Sequence, residues 1–185
     1  QSHNAAMKIQ FPNIAIVGTG AMGRGIAQIA AQAGSQVFLL DANPGAADAA
    51  RAALQEQWNK LVTKGRIEAD QATALTARLH PVTTVAELAA CDLVLEAIVE
   101  RLDAKQALFV ELEGVVRADA VLATNTSSLS VTAIGASLKH PERLAGFHFF
   151  NPVPLMKVVE VIAGLKTDPS ICTALAAYAL SLIHI

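Results

Sequence analysis

The chain has 185 residues and a mass of 19.3 kDa, enough for one well-buried domain and too little for two large ones. Its 14 Lys and Arg stand against 16 Asp and Glu, a formal net charge of -2, and hydrophobic residues make up 53% against 16% charged. That balance excludes a disordered charged tail and leaves no electrostatic footprint for nucleic acid.

Cys91 and Cys172 are too few for a disulfide scaffold, and no histidine joins either at metal-ligand spacing, so no metal is expected. Gln28, Gln32, Asp41, Glu96 and Glu100 interrupt every apolar run before it reaches bilayer length. Residues 1–10 carry no basic, apolar signal segment and read as a tag or disordered start. The expectation is a single domain over residues 11–185 of a cytoplasmic protein that touches neither membrane nor nucleic acid.

Asn13 to Val17 is an apolar run stopped by Gly18, and Met22, Ile26, Ile29, Ala30 and Ala33 then recur at helical spacing up to Gly34. Val37 to Leu40 is a second strand ending on Asp41, which completes a βαβ unit. Leu54, Trp58, Leu61 and Val62 stripe a helix from Pro44 to about Leu61, and a second helix runs from Glu68 to Leu79. This hairpin, about residues 46–79, exceeds what a crossover needs; it is either a cover for the cofactor or decoration.

A short third strand is expected at Thr83-Thr84, with a short helix from Val85 to Ala90. A strand over Asp92 to Ile98, a helix from Asp103 to Leu112 and a strand over Val121 to Thr124 follow. Val131 to Ala136 reads as a short helix, Leu144 to Phe150 and Lys157 to Ile162 as strands, and Pro169 onwards as a last helix. The alternation predicts an α/β fold: a Rossmann-type, doubly wound, mostly parallel sheet with an inserted helical hairpin.

Gly18-Thr19-Gly20-Ala21-Met22-Gly23 is a GxGxxG placed after a strand and at a helix start, with Asp41 closing the next strand. In that context Gly18, Gly20, Ala21, Met22 and Gly23 form a candidate dinucleotide turn, in which the helix N-terminus faces a pyrophosphate. Asp41 would accept the adenosine ribose hydroxyls and repel a 2′-phosphate, which selects NAD over NADP. FAD shares the fingerprint but usually occupies a larger domain. The bland alternative is a tight βα turn with Asp41 capping the next loop.

Polar groups also gather at the later strand ends: Ala97, Glu100 and Lys105, then Asn125, Thr126 and Ser127, then His148, with Glu160 on a neighbouring strand. Oxidation of a secondary alcohol needs a base and an oxygen ligand, and histidine near its ordinary pKa suits the first role. Glu160 would hold the second ring nitrogen, and Ser127 would contact the oxygen. The residues alone leave His148 readable as a core histidine and Ser127 as a helix cap. A carboxylate among valines needs a partner or an exposed face.

Four motifs make the chain resemble the NAD-binding domain of the 3-hydroxyacyl-CoA dehydrogenase family, on its bacterial 3-hydroxybutyryl-CoA and 3-hydroxyadipyl-CoA side. They are VGTGAMGRGIAQ at Val17 to Gln28, EAIVE at Glu96 to Glu100, ATNTSSLSV at Ala123 to Val131, and GFHFFNPVPLMKVVEVI at Gly146 to Ile162. The resemblance implies NAD-dependent oxidation of a short-chain L-3-hydroxyacyl-CoA to the 3-ketoacyl-CoA, as in fatty-acid β-oxidation. It implies His148 as base, Glu160 as its partner, Ser127 on the substrate hydroxyl and Asp41 on the adenosine ribose. The resemblance further implies that Glu100, Lys105 and Asn125 line the cofactor's nicotinamide side, that Ala97 also belongs to the cofactor site, and that the hairpin helps to hold CoA.

The family also carries a C-terminal helical domain that makes a homodimer, and it is missing here, where Ala176 to Ile185 departs from the family pattern. The expectation is therefore a chain that binds NAD but is poorly active, and that exposes Phe149, Phe150, Val153 and Met156 as a self-associating apolar face. The alternatives are a dehydrogenase of free 3-hydroxy acids and a non-catalytic dinucleotide-binding module.

Overall fold

Apolar runs without polar alternation need cover on both faces, and the computed structural model, which describes residues 9–126 and 131–183, gives them that cover. A seven-stranded sheet runs in the order β3-β2-β1-β4-β5-β6-β7. Its strands are β1 (Asn13–Val17), β2 (Gln36–Leu40), β3 (Leu79–Pro81), β4 (Leu93–Glu96), β5 (Val121–Thr124), β6 (Leu144–Phe149) and β7 (Val159–Ala163). All neighbours are parallel except β6 and β7. The order reverses between β1 and β4, the switch point where ligands of such sheets bind.

Helices α1 (Ala21–Gln32), α2 (Ala46–Thr63), α3 (Ala69–Ala77), α4 (Leu102–Val115), α5 (Val131–Gly135) and α6 (Pro169–Ile183) cover the two faces. Ile14, Ile16, Leu93 and Leu95 point to one core with Ile26 of α1, Trp58 of α2 and Tyr178 of α6. Ala15, Val17, Val94 and Leu122 point to the other, with Phe109 and Leu112 of α4 and Ile134 of α5. The period-two alternation of each central strand thus fills both layers at once.

Two expectations need correction. Thr83 and Thr84 form no strand; their N–H and hydroxyl groups donate to the Glu87 carboxylate at a 3₁₀ turn, Val85–Leu88. The third strand is Leu79–Pro81, where a proline is tolerated because β3 lies at the sheet edge. The second correction concerns the exposed apolar face. Phe149 and Val153 are buried, Phe150 is half-buried, and only Met156 is exposed, joined by Leu155 and Val158. Alternation turns Phe149 inward, edge-on to Phe147 at 4.9 Å between ring centroids.

The last helix is tied to the opposite end of the chain. The Tyr178 and Ser35 hydroxyls share a hydrogen bond of 2.8 Å, and Ser35 donates to the Phe11 carbonyl, also at 2.8 Å. Burial pushes the Tyr178 hydroxyl's pKa up, outweighing the opposing contact with Ser35. A group whose pKa is raised on folding lends stability below its unfolded value, near 10 for tyrosine, and loses it above. Tyr178→Phe should cost about 1 kcal/mol at neutral pH and shallow the fall in stability above about pH 10; urea unfolding at both pH values measures this.

Candidate active site

At the end of β1 the chain must turn into α1 with almost no room. Gly18 has φ +98°, and a Cβ there would stand 2.5 Å from the Ala97 carbonyl oxygen. A Cβ on Gly23 would collide with the carbonyl oxygen of Gly18. Both glycines are demanded by the fold. Gly20 is not: a Cβ there would meet nothing within 4 Å.

Gly20 is the N-cap of α1 and supplies no side-chain cap, and no acidic residue lies in the first turn. The first N–H groups of α1 therefore have no helical or capping acceptor. An open space in front of such donors fits a pyrophosphate. A tight turn alone would not need a glycine at position 20, where a side chain would meet no protein atom. Ala21, exposed, and Met22, half-buried, continue the turn into α1.

Asp41 stands beside the same turn. Its Oδ2 accepts the Thr19 backbone N–H at 2.8 Å and the Thr19 hydroxyl at 2.7 Å, and its Oδ1 accepts the Asn43 N–H at 2.9 Å. Partial burial raises the Asp41 pKa, but these three hydrogen bonds outweigh it and hold the carboxyl below its ordinary value. The carboxylate is thus charged and aimed before any ligand arrives. Three of its roughly four acceptor sites are taken, which leaves one open to a further hydroxyl donor. Thr19 was not foreseen as part of this arrangement.

Beyond β4 lies a buried ionic cluster. Glu96 and Lys105 have no exposed side-chain surface, and Lys105 Nζ meets Glu96 Oε2 at 2.5 Å and Glu100 Oε1 at 3.1 Å. Glu96 also accepts the Thr124 hydroxyl and, at 2.7 Å, the Ile98 N–H. Glu100 keeps 47% of its side chain exposed and accepts the Thr126 hydroxyl at 2.7 Å. Of the sequence candidates here, Glu100 reaches the surface, Lys105 is buried, and the Ala97 carbonyl lies where a side chain on Gly18 would go. Glu96 was missed as an interacting residue, although a carboxylate closing a buried apolar strand signals a hidden cation.

Asn125 follows β5 and binds the chain on either side. Its N–H donates to the Glu96 carbonyl at 2.9 Å, and its Oδ1 accepts the Phe149 N–H at 2.8 Å. The side-chain oxygen therefore clamps the end of β6 directly after His148. Ser127 lies outside the described residues.

The antiparallel register sets His148 directly opposite Glu160, with His148 Nδ1 and Glu160 Oε1 3.9 Å apart. His148 is 17% exposed and Glu160 56%, so Glu160 is both paired and open to solvent. That resolves the puzzle of a carboxylate among valines: Val159 and Val161 face the core of α1 and α6, while Glu160 faces the other way. The Phe150 ring lies edge-on to His148 at 4.6 Å.

A cleft of about 360 Å³ opens between Arg24 and Gln28 of α1, Gln57 of α2 and the Asn151–Leu155 segment. Another, of about 280 Å³, lies at the far end of the sheet beneath α5 and touches none of these groups. Among the described residues no set of three or more His, Cys, Asp and Glu can hold a metal ion, and no helix is long and apolar enough to cross a membrane. Cys91 is buried and its thiol is pushed up to about 12, chiefly by burial, so it stays protonated at neutral pH.

Gly20→Ala tests the turn without disturbing the fold. The substitution should change stability by no more than about 1 kcal/mol and weaken NADH binding by about 10-fold or more, by occupying the pyrophosphate's space. Fluorescence titration beside a melting curve measures both.

The 3-hydroxyadipyl-CoA dehydrogenase of Escherichia coli (strain K12) is 46% identical over 95% of this chain, which covers 37% of that protein. The 3-hydroxybutyryl-CoA dehydrogenase of Clostridioides difficile is 42% identical over 84% of this chain, which covers 55% of it. The crystal structure of 3-hydroxybutyryl-CoA dehydrogenase from Escherichia coli K12 superposes with a TM-score of 0.90 at 45% identity, over 93% of this chain and 36% of that one. The chain thus spans between about a third and a little over half the length of these relatives. The family described as 3-hydroxyacyl-CoA dehydrogenase, NAD binding domain, matches residues 13–183, and the chain belongs to that family.

Proposed function

We propose that this chain binds NAD across the β1/β4 switch point, and that the protein it serves oxidises a short-chain L-3-hydroxyacyl-CoA to the 3-ketoacyl-CoA. The observation that carries this reading is the His148–Glu160 pair, set by register at the same strand ends as the glycine turn. The names of the relatives divide between butyryl and adipyl substrates, so the shared class is the 3-hydroxyacyl thioester.

NAD, when bound, supplies the acceptor for the hydride leaving the substrate's C3. The residues of the chain manage the other half of the bond changes. His148 takes the hydroxyl proton as the C–H bond gives up its electron pair and the C–O bond becomes a carbonyl. Glu160 stands on the Nδ1 side, which leaves Nε2 for the substrate and places a negative charge beside the imidazolium that forms. Its exposure lets the proton pass on to water. Asn125 keeps the end of β6, and with it His148, in register with the cofactor turn.

Ser127 is assigned to the substrate oxygen as second ligand. Asp41 holds the adenosine ribose and disfavours a 2′-phosphate by like-charge repulsion. Leu155, Met156 and Val158 are exposed, and Leu155 lines the cleft beside α1. We assign them to the helical domain implied by the resemblance, through which a homodimer would form and the acyl chain be covered.

Titration should show NADH bound at least about 10-fold more tightly than NADPH, a difference of roughly 1.4 kcal/mol. In a protein carrying this domain at the full length of its relatives, His148→Gln should cut acetoacetyl-CoA-dependent NADH oxidation by roughly 10²–10⁴-fold. Its NADH affinity should stay within about threefold, under roughly 1 kcal/mol. Wild-type turnover by that variant would overturn the assignment of the base.

A further inference from the structure

Helix α5 and the turn that follows β7 are latched together. The Leu165 N–H donates to the Thr132 hydroxyl oxygen and the Gly164 N–H to that of Thr167, both at 2.8 Å. The Thr167 hydroxyl in turn donates to the Leu144 carbonyl at 2.7 Å. The approach is close: a Cβ on Gly164 would stand 3.0 Å from Val131 Cγ1 and 3.2 Å from the Thr132 nitrogen. Between these walls lies the cavity of about 280 Å³ beneath α5. Its shape is set before any ligand arrives, which spares binding the cost of ordering the walls.

We propose that this cavity binds a short aliphatic carboxylate, at a site separate from the dinucleotide turn and the His148 pair. Size gives the first reason. Ligand pockets usually begin at about 300 Å³, so this one takes a chain of a few carbons and not a dinucleotide. The lining gives the second. Val131, Leu138, Pro141 and Leu144 supply aliphatic surface, and no aromatic side chain lines the cavity for a ring to stack on.

Charge gives the third. Lys139, after α5, and Lys166, in the turn after β7, both line the cavity, and no carboxylate does. Neither ammonium has an ion pair among the described residues. Glu113 comes close to this corner, but its oxygens accept the Lys139 and His140 backbone N–H groups, and it does not line the cavity. The whole chain carries a net charge of -2, so two uncompensated cations at one cavity are a local feature and not general basicity. An aliphatic chain laid on the apolar surface brings its carboxylate to these two ammonium groups, where charge-assisted hydrogen bonds hold it.

The test is an NMR titration of the isotope-labelled chain with hexanoate. Hexanol, which lacks the charge, and acetate, which lacks the chain, are the controls. The amide signals of Thr132, Gly135, Gly164 and Lys166 should shift and saturate, with a hexanoate Kd of about 1 mM or tighter. Both controls should bind at least about 10-fold more weakly. No saturable shift with hexanoate, shifts confined to other amides, or hexanol bound as tightly as hexanoate would overturn the proposal.

Two variants separate charge from shape, and a melting curve of each checks its fold. Lys139→Gln combined with Lys166→Gln should raise the hexanoate Kd about 10-fold. Ala136→Leu, which adds bulk to the lining and leaves both charges, should abolish saturable binding. An unchanged Kd in the lysine variant would overturn the proposal. The lysine variant should keep its NADH affinity within about twofold, and a parallel loss of NADH binding would overturn the separateness of the site.

Discussion

The approach of α1 to the end of β1 governs everything at the carboxyl edge of this sheet. Backbone meets backbone there: the carbonyl of Gly18 occupies the position a side chain on Gly23 would need, and the carbonyl of Ala97 lies where a side chain on Gly18 would go. One missing methyl brings the helix onto the strand, and another brings the β4 loop onto the turn. Because β4 is fixed against the turn, the Glu96 cluster is fixed as well, and Asn125 extends the same frame to β6. The dinucleotide turn, the ionic cluster and the His148 pair are in this sense one piece of backbone geometry.

Two modes of electrostatic preparation operate within that frame. Asp41 is prepared by hydrogen bonds at the surface, where neighbouring N–H and hydroxyl groups favour its ionised form despite partial burial. Glu96 is prepared in the interior, where no water competes and every acceptor site must be filled by the protein. The first group can exchange a partner for a ligand at little cost. The second cannot, because each partner it gave up would be left buried and unpaired.

Much of this architecture is legible in the residues. Continuous apolar strands announce a sheet covered on both faces, and a strand that stops at GxGxxG and is followed by a strand ending in aspartate announces the turn and its acidic neighbour. The third strand was hidden by a conflict between propensity and position. Leu79-His80-Pro81 looks unlike a strand until its place at the sheet edge is known, while the β-branched Thr83 and Thr84 are drawn off by the Glu87 carboxylate. The buried face of Phe149 follows from strand alternation, which a list of apolar residues near the site ignores. Lys105 and Thr19 were legible as residues but not as partners. Their contacts join an α-helix to a strand end and a turn to the next strand, and residue types alone do not show which buried charge or hydroxyl answers which.

The reversed direction of β7 has its own consequence. In a parallel pair, residues facing each other across neighbouring strands belong to chain segments separated by a whole crossover. The antiparallel return of β7 instead brings together His148 and Glu160, only twelve positions apart. The loop closed by that contact is short and its entropic cost small. The pair can thus form from local chain geometry, and Asn125 then fixes its place relative to the glycine turn. A fold divided this way can vary the spacing of the hairpin that carries His148 and Glu160 while the glycine turn stays unchanged.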